Sequence, residues 1–440
     1  MIKKQKLSKD EKKDIKVIID LLREFDHSRD EGANKAREIT DQASQFISDV
    51  GLRYKERVKN ICNNNEDSRA CIICMKKYAK NRVVCNSCMD KYKKITLNPL
   101  DNFAETVDEM VGGDGYISMG WKDVFSDVFK KHSAEEAEEI FIYGTKNTTP
   151  KESDMMSDWP KPWLYGKVFL FFAVSFLISC IIMGMGVYMM APTVMLIGPM
   201  MVPVSMLILF FELNVPRNIS IFNVMKIFVI GGLASLYFTA VALVTVAIFY
   251  GEELTILGAI ETGFREEIAK IIVVFIILKN RAKKGKKNYL LNGLLIGAAV
   301  GAGFAVFESA GYAQDNFLSV NILEDGVEVV LTRFEMIFNI ILRGIFSPGA
   351  HVAWAAMSGF AMVLAGEKKK YKISSLFSRK FIPIFFITVI LHSIWDMPID
   401  IFVPCIKELI LVILALVALI VLIDNGFDEI NIINREKRYM

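Results

Sequence analysis

Residues 260–278 read Ile-Glu-Thr-Gly-Phe-Arg-Glu-Glu-Ile-Ala-Lys-Ile-Ile-Val-Val-Phe-Ile-Ile-Leu. The stretch is long and apolar enough to cross a bilayer. Yet Glu261, Arg265, Glu266, Glu267 and Lys270 fall near its middle. An ionisable group at the bilayer centre costs about 2.5–3.5 kcal/mol on insertion scales, so such a cluster points to function by default. On a helix, Glu266 and Lys270 are four apart and Glu267 and Lys270 three apart, so one lysine faces both carboxylates. The plain alternative is an internal salt bridge that fastens two membrane helices together. The later apolar segments weigh against it, because they carry further ionisable groups.

The rest of the chain divides sharply. Of its 440 residues, 53% are hydrophobic, and the mean hydropathy of +0.35 is too high for a soluble protein of this size. Residues up to about 160 read as soluble and charged, and residues 163–423 as membrane. The opening Met-Ile-Lys-Lys-Gln-Lys-Leu-Ser-Lys-Asp has no apolar core, so no cleavable secretory signal is expected and the N-terminus is expected in the cytosol.

The expected organisation has five parts. Residues 1–60 form a helical soluble segment, with Ile15, Ile18, Ile19 and Leu22 on one buried stripe. Its mixed charges read as a solvated face and give no case for nucleic acid. Residues 61–95 hold Cys71-Ile-Ile-Cys74 and Cys85-Asn-Ser-Cys88, ten residues apart. Four thiolates in two such knuckles can bind zinc tetrahedrally in a closed, structural site. The other pairing, two disulfides, is disfavoured in a reducing cytosol. Such a module points to docking or regulation, with a cytosolic partner. Residues 96–158 are a helical segment and linker, 159–423 the transmembrane domain, and 424–440 a cytosolic tail. Trp159-Pro-Lys-Pro-Trp163 has the composition of an interfacial anchor.

Apolar runs near 164–189, 193–212, 221–249, 255–278, 290–312, 336–365, 381–397 and 401–423 give about eight spans. The sixth is interrupted by Arg343 and by Ser347-Pro348-Gly349, which fits an interfacial or re-entrant piece followed by a span from about 350. Lys279, Arg281, Lys283, Lys284, Lys286 and Lys287 crowd one connection, and Lys368, Lys369, Lys370 and Lys372 another. The positive-inside rule puts both in the cytosol, and counting spans then puts both termini there.

Four histidines occur, and two of them, His351 and His392, fall within apolar runs. At about 1.5 Å per residue, Glu266, Glu267 and His392 come out roughly 18–20 Å from the cytosolic edge, and His351 and Glu308 about 25 Å. His392 and Asp396 are four apart, so Asp396 can steady the imidazole. Arg343 lies at a similar level and can neutralise a carboxylate or a reaction oxyanion. Two histidines, a carboxylate and a water make an open zinc site, with a further glutamate as general base. His351, His392 and Glu308 with the pair Glu266/Glu267 supply that inventory. Glycines at 293, 297 and 301 make a flat ridge for close helix packing.

Taken in order, Glu266-Glu267-Ile-Ala-Lys270, Gly303-Phe-Ala-Val-Phe-Glu308, Arg343 through His351-Val-Ala-Trp354 to Gly359, and Leu391-His392-Ser-Ile-Trp395-Asp396 resemble the PrsW family of intramembrane proteases, relatives of the type II prenyl (CAAX) endopeptidases. The resemblance covers about residues 160–420. It implies a bacterial multi-span metallopeptidase that cuts membrane-protein substrates, some members acting on membrane-bound anti-sigma factors. Carried over, Glu266, Glu267, Lys270, Arg343 and Asp396 are expected to serve catalysis, and Glu308, His351 and His392 to hold a divalent metal, zinc by ligand type. Ser309 stands where the family leads one to expect asparagine, and Lys270 and Glu308 stand where the prenyl endopeptidases carry arginine and histidine. The expectation is therefore an all-α polytopic membrane protein with an N-terminal helical and zinc-knuckle domain. The competing readings are a metal-ion or proton transporter and an inactive membrane scaffold.

Overall fold

The computed structural model describes residues 99–113, 121–156, 159–249, 255–318, 327–366, 371–399 and 405–438. The chain divides into two units, Met1–Asn102 and Phe103–Met440. The expected helical segment of 1–60 and the knuckle cysteines Cys71, Cys74, Cys85 and Cys88 lie outside the described residues.

No strand occurs among the described residues. The helices run α1 (Pro99–Val111), α2 (Trp121–Phe125), α3 (Ala134–Phe141), α4 (Leu164–Gly184), α5 (Ala191–Leu213), α6 (Ile221–Lys226) and α7 (Gly232–Val246), then α8 (Ile256–Lys283), α9 (Leu290–Leu318), α10 (Val327–Phe346), α11 (His351–Ala365), α12 (Ile382–Asp396) and α13 (Ile406–Arg438). Among the described residues, six stretches are long and apolar enough to cross a membrane: Leu164–Gly184, Tyr188–Leu213, Ile221–Val246, Leu290–Leu318, Arg333–Ala365 and Ile406–Asn434. The other two expected spans exist as helices but differ from these six. α8 is charged through its middle, and α12 has only 15 residues. Both carry site residues.

α9 is the centre of the bundle, with 89% of its apolar window buried. Its glycines explain how. A Cβ on Gly293, Gly297 or Gly301 would collide with backbone oxygens of α11, at Gly359, Ala355 and His351 respectively. On its other side, Gly303 abuts the Phe228 carbonyl. That carbonyl belongs to a π-helical turn, Ile227–Gly231, which joins α6 to α7. The α9 ridge thus fits closely against backbone on two neighbours, which only small residues permit.

Ser347–Gly349 forms a single 3-10 turn between α10 and α11, so the interrupted sixth segment is a broken helix. The break makes His351 the first residue of α11. Glu212, buried near the end of α5, accepts the backbone N–H groups of Trp163 and Leu164 at 2.9 Å and Tyr165 at 3.0 Å. A carboxylate from one span thereby caps the start of α4, where unpaired donors and the helix dipole favour negative charge.

The Trp159–Trp163 stretch behaves differently from the expected anchor. Trp163 is buried and stacks on His132, ring centroids 3.8 Å apart. Trp159 packs against Phe427 and donates to the Asp123 carbonyl at 3.0 Å. Part of the 96–158 helical segment and linker also packs down. Glu152 takes hydrogen bonds from Lys287 and from the Tyr289 hydroxyl (2.9 Å), and Asn434 donates to the Met155 carbonyl at 2.8 Å.

Candidate metal centre

Five helices deliver the site: Glu266, Glu267 and Lys270 from α8, Glu308 from α9, Arg343 from α10, His351 from α11, and His392 with Asp396 from α12. The i, i+3 and i, i+4 spacings on α8 place Lys270 Nζ 2.7 Å from Glu267 Oε1 and 3.6 Å from Glu266 Oε2. Lys270 is only 1% exposed, and its ammonium also sits 4.2 Å from the centre of the Phe304 ring. Its remaining contact is to His351 Nδ1, at 2.9 Å. An ammonium has no acceptor, so Lys270 donates to Nδ1 and the ring proton of a neutral His351 lies on Nε2. Nε2 accordingly donates to Glu308 Oε2, 3.0 Å away. Glu308 Oε2 also takes the Arg343 guanidinium, and Arg343 Nε donates to Ser309 Oγ at 2.8 Å. Ser309 thus supports Arg343.

His392 is fixed from the opposite side. Glu267 Oε1 lies 2.9 Å from its Nδ1, which assigns the proton to Nδ1 and leaves the Nε2 lone pair free. That lone pair faces Glu266 Oε2 at 3.5 Å and Asp396 Oδ2 at 3.4 Å. Three electron-rich atoms turned toward one another repel unless a proton or a metal cation lies between them. Glu266 Oε2 is moreover buried with no hydrogen-bond partner. Glu266, His351 and His392 each offer a donor atom, all within 4.8 Å of one another. Tetrahedral zinc with bonds of 2.0–2.2 Å spaces its ligands about 3.3–3.6 Å apart, which the 3.5 Å between Glu266 Oε2 and His392 Nε2 matches. A carboxylate accepting the other ring N–H of a ligating histidine is also the usual outer support of such a site. Glu266 and His392 offer free donor atoms to a divalent metal, and His351 joins them when Lys270 withdraws from its Nδ1, the Nε2–H staying on Glu308.

Aromatic rings set the imidazole planes. Trp354, wholly buried one turn along α11 from His351, stacks on His392 with centroids 4.5 Å apart and planes 26° apart. It meets His351 edge-on at 5.1 Å, and the two imidazoles stand 79° apart. Exposure rises steadily across the cluster: the Glu267 and Lys270 side chains are 0% and 1% exposed, Glu308 14%, Asp396 22% and Arg343 29%. The least exposed groups stand on α8, and the more exposed ones on α9, α10 and α12.

All eight ionisable residues expected from sequence come together. Glu261 and Arg265 do not join them. Glu261 accepts the backbone N–H groups of Ile248 and Phe249, and Arg265 donates to Thr262. Sequence reasoning gave no role to Trp354 or to Lys407, which donates to the carbonyls of Trp395 and Met397 and so secures the end of α12 beside Asp396. A tryptophan one turn from a membrane histidine was the available signal for the first. Nothing local marks the second.

Among the described residues, an all-helical bundle with six candidate membrane spans surrounds a buried Glu/His/His group that could hold a metal, which defines a multi-pass membrane protein. Residues 220–423 match the PrsW family intramembrane metalloprotease model. No curated protein and no solved structure matches the chain.

Proposed function

We propose that this chain is an integral membrane endopeptidase in which Glu266, His351 and His392 hold a divalent metal, zinc by donor type, and Glu308 acts as general base. The observation that carries the reading is the convergence of those three buried donors, with Glu266 Oε2 lacking any hydrogen bond. It shifts the roles expected from sequence, where Glu308 was a ligand and the Glu266/Glu267 pair held the base.

When bound, the ion supplies Lewis-acid activation of the scissile carbonyl and of a water molecule. The protein's own groups do the rest. Glu267 orients His392 through Nδ1 and Glu308 holds the Nε2–H of His351, while Lys270 gives up His351 Nδ1 to the ion and stays paired with Glu267. Glu308, on the open side, accepts the water proton and returns it to the leaving amine. Arg343 positions Glu308, and Asp396 adds negative charge beside His392 Nε2. The opening between α9, α10 and α12 admits an unwound segment of a membrane-protein substrate. The basic run from Lys279 to Lys287 supports a cytosolic placement of both termini. Cys71, Cys74, Cys85 and Cys88 form a separate structural zinc site on this reading.

Metal analysis of the full chain tests it, with those four cysteines changed to serine. The parent and Glu308→Gln should keep about one metal ion per chain, as an open three-ligand site requires. Glu266→Gln and the His351→Ala/His392→Ala double variant should lose it, and all three should fail to cleave. Loss of metal from Glu308→Gln would return Glu308 to the ligand set. A parent that binds no metal sinks the mechanism.

A further inference from the structure

The short segment before α4 carries a surface the proteolytic reading does not use. Phe125 is 52% exposed and Phe129, four residues on, is 90% exposed. They belong to a piece that is firmly seated. Tyr165 on α4 donates through its hydroxyl to the Val124 carbonyl at 2.9 Å, and Trp159 holds the Asp123 carbonyl. His132 lies flat on Trp163, and Val128 packs so closely on Gly166 that a Cβ there would collide with it. The segment is therefore docked on the first turn of α4, where that span begins. α4 is the span that shares least of its surface with the protein, 17% of its apolar window being buried. Its outward residues Phe169, Leu170 and Phe171 are 42%, 57% and 66% exposed. Phe125 reaches Tyr165, ring centroids 6.3 Å apart, one helical turn from Phe169. The exposed phenylalanines thus continue the lipid-facing strip of α4 past its start.

We infer that Phe125 and Phe129 insert into the bilayer interface and make the 121–132 segment a membrane-seated foot beside α4. Lipid is the occupant because the patch is continuous with a lipid-facing span. Aromatic side chains on a polar element favour the boundary between headgroups and acyl chains. Charge plays little part. Lys130 and Lys131 are exposed, but so are Glu135, Glu136, Glu138 and Glu139 of the adjoining α3. Insertion should therefore not need anionic lipid. This foot takes over the anchoring expected of Trp159 and Trp163.

The test is Phe129→Trp in the full chain, reconstituted in phosphatidylcholine vesicles whose acyl chains carry bromine either near the glycerol or near the terminal methyl. At 90% exposure the substitution leaves the packing intact. The emission added over wild type should be roughly halved by the shallow bromines and less by the deep ones, as expected for insertion of about 5–10 Å. Iodide in the water should quench it little. Phe125→Trp should behave alike, so either variant decides. An added emission quenched by iodide and untouched by bromolipid would overturn the inference and leave the patch as a surface for a soluble partner.

Discussion

Glu267 Oε1 lies 2.9 Å from Nδ1 of His392, a residue 125 positions further along the chain. The same oxygen is 2.7 Å from Lys270 Nζ. One carboxylate oxygen therefore fixes the tautomer of an imidazole and offsets a buried ammonium. With no exposure at Glu267 and 1% at Lys270, neither charge has water to fall back on.

Breaking this pair should be costly in a particular way. Removing one partner of a buried pair typically destabilises by about 3–5 kcal/mol, because the other charge is stranded. Glu266 lies 3.6 Å from Lys270 and softens that, so Glu267→Ala is expected at the lower end. Glu267→Ala/Lys270→Met should recover part of the loss, with a coupling of about 1–3 kcal/mol. Thermal or denaturant unfolding of the four proteins of the cycle would measure it, and additive losses would refute the pairing.

Trp354 should matter through ring orientation. Trp354→Phe keeps an aromatic face and should leave metal affinity within about threefold, whereas Trp354→Leu should weaken it by about 10–100-fold, the usual effect of losing an outer support. Nitrogen-15 imidazole shifts give a metal-free check, since only four histidines contribute. His392 should hold one tautomer in wild type and average between two in Trp354→Leu. Unchanged shifts in a folded Leu variant would reduce Trp354 to core filling.

Two glycines on α9 should respond oppositely to the same change. A Cβ on Gly301 meets the His351 carbonyl, whereas one on Gly311 meets nothing within 4 Å. Gly301→Ala should destabilise by about 1–3 kcal/mol through overpacking and shift His351 enough to impair cleavage. Gly311→Ala should be neutral or stabilise by up to about 1 kcal/mol, the ordinary helix preference of alanine. Melting temperatures of the two variants side by side would decide.

Glu212→Ala should loosen the entry of the first span. Three backbone donors lose their acceptor, and a buried donor left unpaired costs about 1–3 kcal/mol. Hydrogen exchange should quicken at residues 163–165 while the amides of α9 stay protected. Equal acceleration in both places would mean that the carboxylate supports the whole bundle.

Much of the site was legible because membrane helices make charge conspicuous. The spacing of Glu266, Glu267 and Lys270 fixed their mutual contacts on α8. Ser347-Pro348-Gly349 announced the break that starts α11 at His351, and the glycines announced the close face of α9. Which helices stand next to one another was not legible, since hydropathy reports depth and not neighbours. Depth alone put Glu308 and His351 level, and they do meet. It could not show that Glu266 turns an unpartnered oxygen toward the imidazoles. Glu212 drew no reading from the sequence, because its partners are backbone donors some 48 residues earlier. The tryptophans at 159 and 163 were read for composition. Their surroundings, His132 and Phe427, come from distant parts of the chain.

Backbone contact between α9 and α11 leaves no slack for those two helices to slide, while Arg343 and Asp396 stand on helices at the open edge. Rigidity and adjustability are thereby assigned to different parts of the chain. An engineer wishing to change which peptides enter would redraw α10 and the end of α12. The glycine face of α9 would be left alone, since even one added methyl there moves a histidine.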